Sequence, residues 1–100
     1  MDILTSKQRA YLRGLANPLS PILHAGKGEI SDAMLKQADD ALTARELIKG
    51  RVLETAPASP RETAEAIAAA VGAQVVQVVG RTFVLYRRND KEPVIQLPRA

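Results

Sequence analysis

The chain contains no cysteine and no tryptophan, one histidine, and only three aromatic rings, Tyr11, Phe83 and Tyr86. Each shortage removes a class of function. Without cysteine there is no disulfide framework, no thiolate metal site and no thiol nucleophile, a usage compatible with a reducing compartment. The lone histidine, His24, cannot build a His-Glu-x-x-His metal motif, and inside an apolar stretch it reads as a structural or merely exposed residue. So few rings argue against the exposed aromatic platforms on which RRM and OB domains stack bases, and Tyr11 and Phe83 are expected in the core. No apolar run approaches the roughly 20 residues that span a bilayer, and Met1-Asp2-Ile3-Leu4-Thr5 lacks the basic and apolar regions of a signal peptide. The expectation is a cytoplasmic protein with no membrane partner.

A catalytic constellation is equally scarce. The P-loop pattern G-x-x-x-x-G-K-[ST] is absent, because Lys27 is followed by Gly28 and Glu29. Asp39 and Asp40 look like a carboxylate pair, but neighbours on a helix diverge by about 100°. The sequence therefore predicts no enzyme, no catalytic residues, no metal, no cofactor and no small-molecule substrate.

What is present is enough apolar material for one compact domain. Hydrophobic residues make up 46% of 100 positions, which suffices for a core but leaves no room for a second domain. The net charge of +3 permits a polyanionic partner, and its distribution says more than its total. From Ile3 to Gly28 there are four cations, Lys7, Arg9, Arg13 and Lys27, and no carboxylate. From Arg81 to Lys91 four cations face a single Asp90, whereas Glu29 to Glu65 holds eight acids and five bases. A fold that joins the two basic segments would concentrate charge into a patch.

Local signals give an alternating order of elements. Thr5 or Ser6 caps a first helix that runs to about Ala16, with Tyr11, Leu12 and Leu15 on one face, Arg9 and Arg13 opposite, and Asn17-Pro18 as the stop. Ile22 to Ala25 reads as a short strand. A second helix, about Ser31 to Arg45, turns Met34, Ala38, Ala41 and Leu42 toward a core. In the strand Leu47 to Leu53, Ile48 and Val52 point one way and the cations Lys49 and Arg51 the other. Ser59-Pro60-Arg61-Glu62 is a capping box with proline in the first turn, opening a third helix that buries Ala64, Ile67, Ala68 and Val71 and ends at Gly72. Gln74 to Val79 and Thr82 to Arg87 form a hairpin across Gly80-Arg81, with glycine first in a II′-type turn, and at least one of the two is central. The prediction is an α/β single domain, α-β-α-β-α-β-β, with a mixed four-stranded sheet packed by helices. It spans residues 1–98 with 99–100 as a tail, and Val94, Ile95 and Leu97 are apolar enough to fold back on it.

Between the first strand and the second helix lies Gly26-Lys27-Gly28-Glu29. Glycine lets backbone approach another molecule closely, and Lys27 adds a point charge beside the N–H groups that open the helix. Clamping a phosphate backbone with such a loop and surrounding cations is the strategy of KH domains.

Several strings, in this order and spacing, resemble the YhbY-like family of stand-alone CRM domains, small RNA-binding proteins associated with ribosome maturation. They are Leu4-Thr5-Ser6-Lys7-Gln8-Arg9 through Gly14-Leu15-Ala16, Pro21 to Gly26, Glu46-Leu47-Ile48-Lys49, and Gln77-Val78-Val79-Gly80-Arg81-Thr82 through Val84-Leu85-Tyr86-Arg87. The resemblance covers about Ile3 to Pro98 and implies a fold related to the C-terminal domain of translation initiation factor three. It also implies that the Gly26 to Glu29 loop, the counterpart of a family G-x-x-G loop, contacts RNA. Here Glu29 replaces the last glycine and sets a carboxylate where a phosphate would approach, a repulsion on the order of 1 kcal/mol.

The expected function is binding of ribosomal RNA, or of a pre-ribosomal particle, during large-subunit assembly, by a monomer. The expected contacts are Gly26, Lys27, Gly28 and Glu29, surrounded by Lys7, Arg9, Arg13, Lys36, Lys49, Arg81, Arg87 and Arg88. The competing expectation is an adaptor for a ribosomal or assembly protein, favoured by Asp32, Asp39 and Asp40 on the second helix.

Overall fold

The computed structural model describes residues 4–26 and 30–99. Its order is α1 (Ser6–Ala16), β1 (Leu23–Ala25), α2 (Asp32–Arg45), β2 (Leu47–Val52), α3 (Pro60–Val71), β3 (Gln74–Val79) and β4 (Thr82–Tyr86), the α-β-α-β-α-β-β succession expected. The helix ends follow their capping chemistry. Thr5 and Ser59 each form a reciprocal capping box, with Gln8 and Glu62, and Ser31 accepts from the Met34 N–H to start α2. Gly72 ends α3 in the left-handed region.

The four strands lie in the order β1-β2-β4-β3. β1 runs parallel to β2, while β4 runs antiparallel to both β2 and β3, so β2 and β4 are central. Gly80 has φ +57 and Arg81 does not share a positive φ, which fits the II′ turn. This topology gathers the C-terminal ends of β1, β2 and β3 and the start of β4 at one end of the sheet, together with Gly26 and the N-terminal end of α2.

Both sheet faces are covered, by different elements. On one face α2 and α3 enclose Leu23, Ala38, Leu42, Ile48, Ile67, Phe83 and Leu85. Gly50 in β2 is buried opposite Phe83, whose ring occupies the space a Cβ would need. On the other face α1 places Leu12 and Ala16 over Leu47, Val76, Val84 and Tyr86. This second layer is completed by a C-terminal strap from which Ile95 and Leu97 pack inward, whereas Val94 stays 60% exposed.

The strap is held by Glu46, which terminates α2. Its side chain is fully buried and its backbone has φ +64. The carboxylate accepts the N–H groups of Asn89 at 2.6 Å, Val94 at 2.7 Å and Ile95 at 2.5 Å. Burial, and then this carboxylate, push the pKa of the neighbouring Tyr86 hydroxyl up.

Two sequence expectations fail on α1. Tyr11 is 43% exposed and Leu15 38% exposed, so neither belongs to the core. The face that α1 presents to the sheet is narrow, centred on Leu12 and Ala16, and Tyr11 and Leu15 flank it.

Candidate nucleic-acid interface

Helix α1 covers only part of its sheet face and leaves the end nearest Gly26 open. Cross-strand partners project to the same side, so the register arranges the open surface in rows. His24, Arg51, Thr82 and Val79 form the outer row, and Lys49, Val84 and Gln77 the next. Alternation along β2 is the cause, since Ile48, Gly50 and Val52 enter the core while Lys49 and Arg51 face outward. A groove of about 160 Å³ lies here, lined by Asn17, Lys49, Gln77, Val79, Thr82 and Val84. Its wall is the end of α1, where the Asn17 carbonyl lies 3.5 Å from Lys49 Nζ.

The expected contact residues divide sharply by environment. Arg9 lies over β3 and donates to the Val75 carbonyl at 2.7 Å, and Arg13, one turn later, shares its flank. Neither arginine lines the groove of the open face, whereas Lys49 does. Among the described residues Lys7, Arg9, Arg13, Lys49 and Arg51 have no carboxylate at ion-pair distance. Gly26 ends β1 at the same end of the sheet, while Lys27, Gly28 and Glu29 lie outside the described residues. Arg81 is there too, but its guanidinium clasps the end of β2, donating to the Val52 carbonyl at 2.8 Å and the Leu53 carbonyl at 2.7 Å.

Three expected contacts are elsewhere and already paired. Lys36 meets Asp40 at 3.3 Å on the solvent side of α2. Arg87 stands at the opposite end of the sheet, where it binds the Asp39 carboxylate, the Thr43 hydroxyl and the carbonyls of Asp39 and Val71. Arg88 pairs with Asp90 at 3.3 Å. The two basic segments therefore meet only in part, because β4 carries Arg87 and Arg88 away from the end that holds Arg81. The same pairs neutralise Asp39 and Asp40 on the acidic face of α2.

Beside Gly26 a second cleft, about 330 Å³ and mostly apolar, is lined by Ala25, Gly26, Ile30, Ala56, Pro57, Ala58 and Thr63. Among the described residues no cluster of His, Cys, Asp and Glu side chains is arranged to hold a metal ion. No helix among them is long and apolar enough to cross a membrane.

The model of the CRS1/YhbY (CRM) domain family matches residues 4–87. The chain belongs to that family. It is 43% identical over 96 residues to the Bacillus subtilis protein named "Probable RNA-binding protein YqeI", covering 96% of this chain and 100% of the relative. A Haemophilus influenzae protein named "RNA-binding protein" is 35% identical over 99 residues, 99% of each chain. The solution structure of SAV1595 from Staphylococcus aureus superposes with a TM-score of 0.79 at 44% identity, covering 96% of this chain and 100% of that one.

In this CRM domain the residues most easily overlooked in the sequence are Arg51 and His24. The β2 alternation marks Arg51 as a face-mate of Lys49, but only the strand register shows that His24 and Arg51 are neighbours. His24 is exposed on the same row as Arg51, one of the two readings its sequence position allowed.

Proposed function

We propose that this CRM domain is a non-enzymatic RNA-binding protein of the cytoplasm that contacts ribosomal or precursor ribosomal RNA during large-subunit assembly. The docking surface is the open part of the sheet between α1 and the Gly26 loop. The observation that carries this reading is the separation of the cations: among the described residues, those around the open face lack acidic partners, whereas Lys36, Arg87 and Arg88 are paired elsewhere. Unpaired cations on one face are what a phosphate backbone requires, since each neutralised phosphate releases condensed counterions. The names of the relatives support RNA as the partner. Of the three acids behind the adaptor reading, Asp39 and Asp40 already have cationic partners, which leaves Asp32.

Filter binding to ribosomal RNA fragments across a salt series tests the surface. Lys49→Ala and Arg51→Ala should each weaken binding on unrelated sequences and flatten the salt slope by roughly 0.7–0.9 for each phosphate no longer neutralised. Lys36→Ala should change neither quantity. Equal effects from all three substitutions would remove the open face from the interface. Arg81 and Arg87 make poor probes, because replacing them unties backbone carbonyls as well as removing charge.

A further inference from the structure

The exposure of Tyr11 has no counterpart in the RNA surface described above. Its ring lies on the flank of α1 away from Arg9 and Arg13, with Lys7 one turn before it and Leu15 one turn after. Gly14, also exposed, has no atom within 4 Å of where its Cβ would stand, so the surface beside the ring is open. The strap adds charge to this flank. Gln8 Nε2 donates to the Pro98 carbonyl at 3.0 Å, and the next residue, exposed Arg99, leaves the strap at the first turns of α1.

We propose that this outer flank of α1 is a second RNA contact, in which the Tyr11 ring stacks on an unpaired base while Lys7 and Arg99 hold adjoining phosphates. The inference rests on the RNA-binding reading and adds a preference for single-stranded segments. Charge selects the occupant, since no carboxylate occurs from Leu4 to Gly26 and, among the described residues, Lys7 and Arg99 are the charged groups placed at this flank. Area points the same way. Two partly exposed side chains are too small a core for a stable protein interface, which buries on the order of 800 Å² on each partner. One ring is sufficient to stack one base.

The chain has no tryptophan and two tyrosines, and Tyr86 is buried. In a Tyr86→Phe background Tyr11 is therefore the sole strong intrinsic fluorophore. A short single-stranded RNA should quench it, and a blunt RNA duplex should not. Tyr11→Ala should weaken binding of the single strand about tenfold and leave duplex binding and the salt slope unchanged, while Tyr11→Phe keeps wild-type affinity. No quenching with unchanged affinity overturns the inference, as does equal loss on single strand and duplex. Equal weakening by Tyr11→Phe and Tyr11→Ala would assign the effect to the hydroxyl and overturn stacking. If Tyr11→Ala is silent while Lys49→Ala and Arg51→Ala weaken binding, stacking on α1 fails and the sheet-face reading stands; if the wild-type chain binds neither RNA, the sheet-face reading fails with it.

Discussion

Gly50 shows how one atom can fix a sheet in register. It is buried in the middle of β2, and Phe83, its partner on β4, lays its ring across the missing side chain. Gly50→Ala should displace that ring within a packed core and destabilise the domain by about 1–3 kcal/mol. Thermal or urea denaturation measures the loss, and a variant as stable as the parent would show that the ring moves aside freely. Neither this close approach nor the Glu46 clasp was legible in the sequence. Nothing local marks Glu46 as a clasp, because the partners of its carboxylate lie more than 40 positions away. Tyr11 misled for a related reason: one helix turn cannot say how wide a face its neighbours will cover, and here the stripe narrows to Leu12 and Ala16.

At the scale of elements the sequence was far more explicit, because caps and turns are local chemistry. Ser59, Pro60, Glu62 and Gly72 marked both ends of α3, and the structure agrees at each position. Strand ends were less exact: the first strand starts one residue later than expected, and the second and fourth each stop one earlier. The α3 cap has a pH signature. Hydrogen bonds from the Ser59 backbone N–H and hydroxyl lower the pKa of the exposed Glu62 carboxyl from its ordinary 4.5. A lowered folded-state value means that the stabilisation is present above the unfolded pKa and lost as pH falls through the folded one. Glu62→Gln, which retains a carbonyl acceptor for the Ser59 N–H, should therefore remove part of the acid sensitivity of unfolding below about pH 4.5. An unchanged acid limb in denaturation curves would count against the cap as its source.

For the whole molecule, patterning predicted the layers, but only topology could distribute the charge. The same strand order that brings β2 and the β3-β4 turn toward Gly26 carries Arg87 and Arg88 to the far end. No inspection of charge runs could separate these groups. The strap ties the two layers together, since Glu46 belongs to the end of α2 while Ile95 and Leu97 complete the layer under α1. Glu46→Ala would leave three strap N–H groups without their acceptor, and unfolding should become easier by roughly 2–4 kcal/mol. Hydrogen exchange should rise first at Val94, Ile95 and α1, with β2 and β4 still protected. Uniform loss of protection would mean that the strap is integral to the main core.

The clasp also orders events in time. A chain emerges from its N-terminus, so α1 appears before the strap, and the surface it packs on is finished only when residues 94–97 have followed β4. The layer built from α2, α3 and the sheet has all its parts by Tyr86. Until the strap reaches Glu46, α1 alone can cover Leu47 and Tyr86, without the packing of Ile95 and Leu97. A helix made early would finish its packing late.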